Sequence, residues 1–134
     1  MTIKRVPPAE AAELQKQGFT YVDVRSAPEF ASGRPTGSVN IPVFDVSPNG
    51  QMVPNPEFLD VFTKAFPSGS KVVVGCQGGN RSMRAAQMLE AAGYSEIVEQ
   101  QAGFGAPGGW ASQGLPVERG AAPGADYESM KARR

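Results

Sequence analysis

Short apolar runs alternate along this chain with stretches whose apolar residues recur every three or four positions. The runs lie at residues 3–6, 20–24, 39–41, 71–75 and 96–99, and each predicts a short strand. The stretches between them carry helix signals. Pro7 and Pro8 open a helix that runs to about Gln17, and Gly18 stops it. Ser26-Ala27-Pro28-Glu29 has capping-box spacing, so a short helix carries Phe30. Gly33 to Gly37 reads as a loop. Asn55 caps a helix with Pro56 at its first position, and Phe58, Phe62 and Phe66 give it one apolar face. A further helix runs from Arg81 to Ala92, with Ala85, Ala86 and Leu89 on one side and Gly93 just past its end. Trp110 to Gln113 forms a short helical turn.

Strands alternating with helices predict an α/β fold with a five-stranded, mostly parallel sheet and helices on both faces. The unbroken Val72-Val73-Val74 marks a central strand buried on both sides. Ser47 to Pro54 is turn-rich and expected to be exposed. Residues 1–119 are expected to form the domain and 120–134 a polar C-terminal tail, because Gly120 to Ala125 offer few anchoring side chains. Within that tail, the three-residue spacing of Tyr127 and Met130 allows one helical turn to dock an apolar face.

Composition narrows the function. A chain of 134 residues is large enough for one self-sufficient core. Thirteen basic and thirteen acidic residues give a net charge of zero, so no overall field recruits nucleic acid or an anionic membrane. No secretory signal or membrane span is expected, since the start lacks an apolar core and no run approaches the roughly 20 residues a span needs. A single cysteine excludes an internal disulfide and fits a reducing cytoplasm. There is no histidine. That removes serine–histidine and cysteine–histidine catalysis, and neither a metal nor a cofactor is expected.

The candidate chemistry is Cys76. It ends the valine strand and opens Cys76-Gln77-Gly78-Gly79-Asn80-Arg81-Ser82, which leads into a helix. Strand, glycine-rich loop and helix together aim backbone N–H groups and a helix N-terminus at one sulfur, which favours the thiolate. Gly78 and Gly79 allow the loop to turn its N–H groups inward as an anion-binding nest. Gln77 and Asn80 either line the entrance or face solvent. Ser82 is a hydrogen-bonding residue at the helix start, with no base to make it a nucleophile. Asp23 and Arg25 end a strand and can pair with Arg81 or Glu29, supporting the loop without entering the chemistry. Arg34 and Arg84 read as solvated charges, and Trp110 as a packing lid.

The loop resembles the C-x-x-G-x-R-S active-site loop of single-domain rhodanese-like sulfurtransferases, with Cys76, Gly79, Arg81 and Ser82 in the matching places. Asp23-Val24-Arg25 with Glu29-Phe30, Gly37-Ser38-Val39-Asn40-Ile41-Pro42, Gly109-Trp110 and Gly114-Leu115-Pro116-Val117 are similar to further segments of that family, in the same order. The resemblance spans about residues 3–118. It departs at Arg34, where family members often carry histidine, and at 103–109, a longer approach to the tryptophan.

The resemblance implies a thiosulfate sulfurtransferase: Cys76 takes a sulfane sulfur as a persulfide and hands it to a thiophilic acceptor. Arg81 either adds charge toward an anionic donor such as thiosulfate or anchors the loop by pairing with a carboxylate. With no second cysteine the acceptor is external: cyanide, a small thiol or a protein thiol. The alternative is a sulfur carrier or rhodanese-like interaction module with little thiosulfate turnover. Phosphatase or arsenate-reductase chemistry is disfavoured. Those loops resemble C-x₅-R, whereas only four residues separate Cys76 from Arg81.

Overall fold

The computed structural model describes residues 3–78 and 80–132. Its elements in chain order are β1 (Lys4–Val6), α1 (Pro8–Lys16), β2 (Thr20–Asp23), α2 (Ala27–Ser32), β3 (Arg34–Pro35), β4 (Val39–Asn40), β5 (Phe44–Val46), β6 (Met52–Pro54), α3 (Phe58–Ala65), β7 (Val72–Gly75), α4 (Asn80–Ala91), β8 (Ile97–Gln100), β9 (Val117–Glu118) and α5 (Tyr127–Ala132). Five strands form one sheet in the order β1-β8-β7-β2-β4, and every pairing in it is parallel. The fold is therefore α/β, as the alternation of patterns requires, and the five expected strands appear within one residue of their expected limits.

The valine strand β7 is central and wholly buried. Its odd and even side chains enter different cores. Val72 and Val74 pack with Phe58, Phe62, Ala85, Ala86 and Leu89 from α3 and α4. Val73 faces the other way, toward Val6, Ala11, Tyr21, Val98 and Trp110. Parallel strands covered on both faces leave their carboxyl ends as the place where loops gather. Cys76 follows β7 at that end, between β2 and β8.

Several expectations change. The turn-rich 47–54 stretch is exposed over nearly all its length, as expected, but it also closes an unforeseen antiparallel hairpin of β5 and β6, with Val46 and Met52 exposed at its tip. The Gly33–Gly37 loop contains β3, which pairs antiparallel with β9. The third helix starts at Phe58, not Pro56. Asn55 caps the preceding turn instead, its Oδ1 accepting the Glu57 N–H at 3.1 Å.

Arg34 is not a solvated charge: it is 3% exposed. Its guanidinium lies 4.7 Å from the Phe30 ring centroid, donates to the Gly120 carbonyl at 2.8 Å and sits 3.6 Å from Glu118. Arg84 is exposed, as read.

The tail after Arg119 is docked rather than loose. Arg34 holds the Gly120 and Ala121 carbonyls, and the Asn40 N–H donates to the Ala125 carbonyl at 2.8 Å. The segment thus covers β4, the edge strand that would otherwise present unpaired backbone groups. Helix α5 follows with Met130 fully buried in the larger core, and the Tyr127 hydroxyl accepts from Asn55 Nδ2 at 2.9 Å. Tyr127 and Met130 are the residues whose spacing allowed a docked turn.

Candidate active site

Gly75 precedes Cys76 for a steric reason. The Tyr21 hydroxyl lies under it, and a Cβ at this position would fall 1.8 Å from that oxygen. The phenol donates to Gln100 Oε1 at 2.8 Å, and burial pushes its ionisation well above the usual range for tyrosine. The strand's last side-chain slot is thus filled from β2, and the chain turns into the cysteine loop above it.

Cys76 is 2% exposed. Its sulfur lies 3.4 Å from Ser82 Oγ, in the first turn of α4. Ser82 is fully buried and donates to Glu99 Oε2 at 2.6 Å. Glu99, on β8, is also fully buried, and its Oε1 accepts from Arg5 Nε at 2.7 Å. The parallel register sets Arg5 opposite Glu99 on the neighbouring strand.

Of the other loop residues, Gln77, Gly78 and Asn80 are exposed, and Gly79 lies outside the described residues. Arg81 pairs with Glu29 through two bonds, Nη1 to Oε1 at 2.7 Å and Nη2 to Oε2 at 3.0 Å. Glu29 also accepts the Ser26 N–H at 3.1 Å, so one carboxylate caps α2 and clamps the start of α4. The Arg81 hydrogen bonds hold Glu29 at about 2, against its partial burial. Of the two roles open to Arg81, loop bracing is the one these contacts serve.

Asp23 does not reach Arg81 or Glu29. Arg25, two residues on, folds back onto it, with Nη2 2.7 Å from Oδ2 and both Nε and the backbone N–H at 3.0 Å from Oδ1. Burial raises the Asp23 carboxyl above its usual range, opposed by those bonds from Arg25. Arg25 then extends to the loop: Nη2 donates to the Gly33 carbonyl at 2.5 Å and Nη1 to Gln77 Oε1 at 3.3 Å. Its guanidinium carbon is 4.5 Å from the Phe104 ring centroid. Asp23 and Arg25 thus form a buried pair, and of the two it is Arg25 that contacts the loop, at Gln77.

The long approach to Trp110 backs the cysteine loop. Phe104 N–H donates to the Cys76 carbonyl at 2.6 Å and Gly105 N–H to the Gln77 carbonyl at 3.3 Å. A Cβ on Gly103 would lie 2.2 Å from the Gln77 oxygen, so glycine is required for this approach. Trp110 is a packing residue, 1% exposed, edge-on to Tyr21 and bonded through Nε1 to the Pro116 carbonyl at 2.7 Å.

A groove of about 350 Å³ beside the loop is lined by Arg25, Glu29, Gln77 and Phe104. A larger hollow of about 450 Å³ is lined by Ala12, Phe19, Trp110, Leu115 and Pro116. It belongs to the opposite face of the sheet from the sulfur and offers mainly apolar walls, so the smaller groove is the relevant one. Among the described residues no His/Cys/Asp/Glu cluster is arranged to hold a metal, and no helix is long and apolar enough to cross a membrane.

Glu99, Arg5 and Phe104 were not among the candidate residues. Glu99 carried a signal: a carboxylate inside a strand expected to be covered on both faces. Arg5 and Phe104 carried none, because their parts depend on strand register and on the path of a loop.

The family model described as Rhodanese-like domain matches residues 7–106. Thiosulfate sulfurtransferase 16, chloroplastic, of Arabidopsis thaliana is 35% identical over 108 residues, covering 81% of this chain and 87% of that protein. Thiosulfate sulfurtransferase GlpE of Pseudomonas fluorescens is 35% identical over 101 residues, covering 75% and 81%. Among solved structures, a rhodanese-related protein from Thermoplasma volcanium superposes with a TM-score of 0.65 at 28% identity, covering 86% of this chain and 97% of that one.

Proposed function

The chain belongs to the rhodanese-like domain family, and on that basis we propose that it is a sulfurtransferase acting on thiosulfate or a related sulfane donor through a Cys76 persulfide. The observation that carries this reading is the position of Cys76. It follows the central parallel strand, adjoins the first turn of α4, and lies in the loop whose pattern matches the family's. The names of the two thiosulfate sulfurtransferase relatives support the choice of donor.

The chemistry needs few groups. The Cys76 thiolate attacks the outer sulfur of thiosulfate, the donor's S–S bond breaks, and sulfite leaves with the bonding pair. A persulfide remains on Cys76. An external nucleophile, cyanide or a thiol, then attacks its outer sulfur and the cysteine thiolate is restored. The exposed Gln77 and Asn80 and the groove beside Arg25 give a small anion a polar approach. Arg81 is engaged by Glu29 rather than directed at an oxyanion, which favours sulfur transfer over phosphoryl chemistry.

Intact mass after thiosulfate treatment tests the reading. The expected result is a gain of one sulfur atom, removed by cyanide or a reducing thiol and absent from Cys76→Ser. A wild-type protein that stays at its starting mass overturns it. Loading that occurs without steady turnover to cyanide would favour the carrier alternative.

A further inference from the structure

When the Cys76 thiol ionises, its proton needs an acceptor, and the chain has no histidine to serve. The groups behind the sulfur form a continuous line: Sγ to Ser82 Oγ at 3.4 Å, then Ser82 Oγ to Glu99 Oε2 at 2.6 Å. Both Ser82 and Glu99 are fully buried. A buried carboxylate is costly, and an apolar side chain often serves better in such a slot, so its presence calls for a reason. Arg5 offsets the charge from the far side through its 2.7 Å bond to Oε1.

Resting on the sulfur-transfer reading above, we infer that Glu99 is the internal proton holder for Cys76, acting through Ser82. The thiol proton passes to Ser82 Oγ while the Ser82 hydroxyl proton passes to Glu99 Oε2. The S–H bond and one O–H bond break, two O–H bonds form, and no electrons change hands between donor and acceptor groups. The negative charge moves from carboxylate to sulfur, and the Ser82 hydroxyl now donates to the thiolate. When an acceptor removes the outer persulfide sulfur, the bonding pair returns to Sγ as a thiolate, and the same hydroxyl donates a hydrogen bond to it. Glu99 touches neither donor nor acceptor; it is a positioning residue.

Other charges surround this line. Arg81 with Glu29 and the Asp23–Arg25 pair flank the cysteine loop, and the Tyr21 phenol lies beneath Gly75 on the other face. None of these groups is hydrogen-bonded to Glu99, so Glu99→Gln leaves their contacts in place, and the Tyr21 phenol, which feels the Glu99 charge, stays above the usual range mainly through burial.

Two ionisable groups sharing one proton titrate as a pair, in two steps. The rate of Cys76 alkylation by iodoacetamide is therefore expected to climb with pH in two steps in the wild type and in one step in Glu99→Gln. A carboxylic-acid infrared band is expected to survive the lower step, disappear with the upper one, and be missing from Glu99→Gln. A two-step profile retained in folded Glu99→Gln overturns the inference, as does a single-step wild-type profile. A lowered melting temperature with an unchanged profile would mean a purely structural role and overturns it too. If Glu99→Gln does not fold, Ser82→Ala breaks the line while leaving the Arg5–Glu99 pair. Its lower step is expected to shrink, and a full lower step sinks the inference. Thiosulfate loading measured on the same samples separates the two readings. A two-step profile without sulfur gain keeps the relay and loses the sulfur-transfer reading; sulfur gain with a single-step profile does the reverse.

Discussion

Arg81 and Glu29 face one another end to end, with Nη1 2.7 Å from Oε1 and Nη2 3.0 Å from Oε2. The pair joins the first turn of α4 to the first turn of α2, and so fixes one wall of the cysteine loop to the rest of the domain. Bidentate geometry makes it stronger than a surface contact. Arg81→Ala is expected to lower stability by an amount between the ~1 kcal/mol of an exposed pair and the ~3 kcal/mol of a buried one. Donor affinity should fall only as far as the loop loosens. Thermal melting and thiosulfate kinetics on one preparation check this. A variant with unchanged melting temperature and a large rise in apparent donor KM would show that the arginine serves the donor instead.

The same pair sets an acid limit. Glu29 is held at about 2 in the folded protein, below the ~4.3 of an unperturbed glutamate. A carboxylate whose folded value is depressed stabilises the fold above its unfolded value, and that contribution is lost as pH falls through the folded value. The stability difference between wild type and Arg81→Ala is therefore expected to be full at neutral pH and to shrink between about pH 4 and about pH 2. Denaturant midpoints of both proteins across that window check the sign. A difference that grows on acidification contradicts it.

The sheet was legible in the chain because its strands are short and differ sharply from their flanks. Val72-Val73-Val74 identified the central strand, and the capping-box spacing identified α2. Cys76 stood out because a glycine-rich turn after a buried strand has few uses for a lone thiol. What stayed hidden depends on tertiary register. Nothing local distinguishes Arg34, buried on Phe30 and the 120–121 carbonyls, from Arg84, which faces solvent. The partner of Asp23 was misassigned for a similar reason: a carboxylate at a strand end has several candidate cations, and only the backbone path shows that Arg25 turns back. The polarity of the tail concealed its anchors: Met130 enters the core, Tyr127 accepts from Asn55, and Arg34 and the edge of β4 offer partners to its backbone.

Gly103 should be intolerant of even one added carbon. Its φ is +73°, and a Cβ would lie 2.2 Å from the Gln77 oxygen and 2.7 Å from the Gly78 nitrogen. Both contacts are backbone, so neither can swing aside. Gly103→Ala is expected to push the 103–105 segment off the cysteine loop, breaking the bonds of Phe104 and Gly105 to the Cys76 and Gln77 carbonyls. Sulfur transfer should fall at least tenfold, a displacement cost of about 1.4 kcal/mol or more in the transition state, with a lowered melting temperature. Full activity in this variant would mean that the segment does not hold the loop in its working shape.

Met130 provides the test of the docked tail. Its side chain is fully buried against the core that includes Phe58 and Phe62, and α5 contacts both β4 and α3. Truncating a buried methionine to alanine removes its transfer free energy and leaves a cavity, together about 2–5 kcal/mol. Against a total stability of about 5–15 kcal/mol for a domain, that loss is large. Met130→Ala is therefore expected to shift the denaturant midpoint clearly. Deletion of residues 121–134 should do more, since it also removes the Ala121 and Ala125 carbonyls that pair with Arg34 and with the Asn40 N–H. Neither change removes a member of the Cys76–Ser82–Glu99 line or a hydrogen bond along it. Persulfide loading per folded molecule, measured by intact mass below the unfolding transition, should therefore match the wild type. Deletion without loss of stability would show that the 121–132 segment rests on the sheet edge without holding it. Loss of loading in a molecule that remains folded would instead tie the tail to the active site.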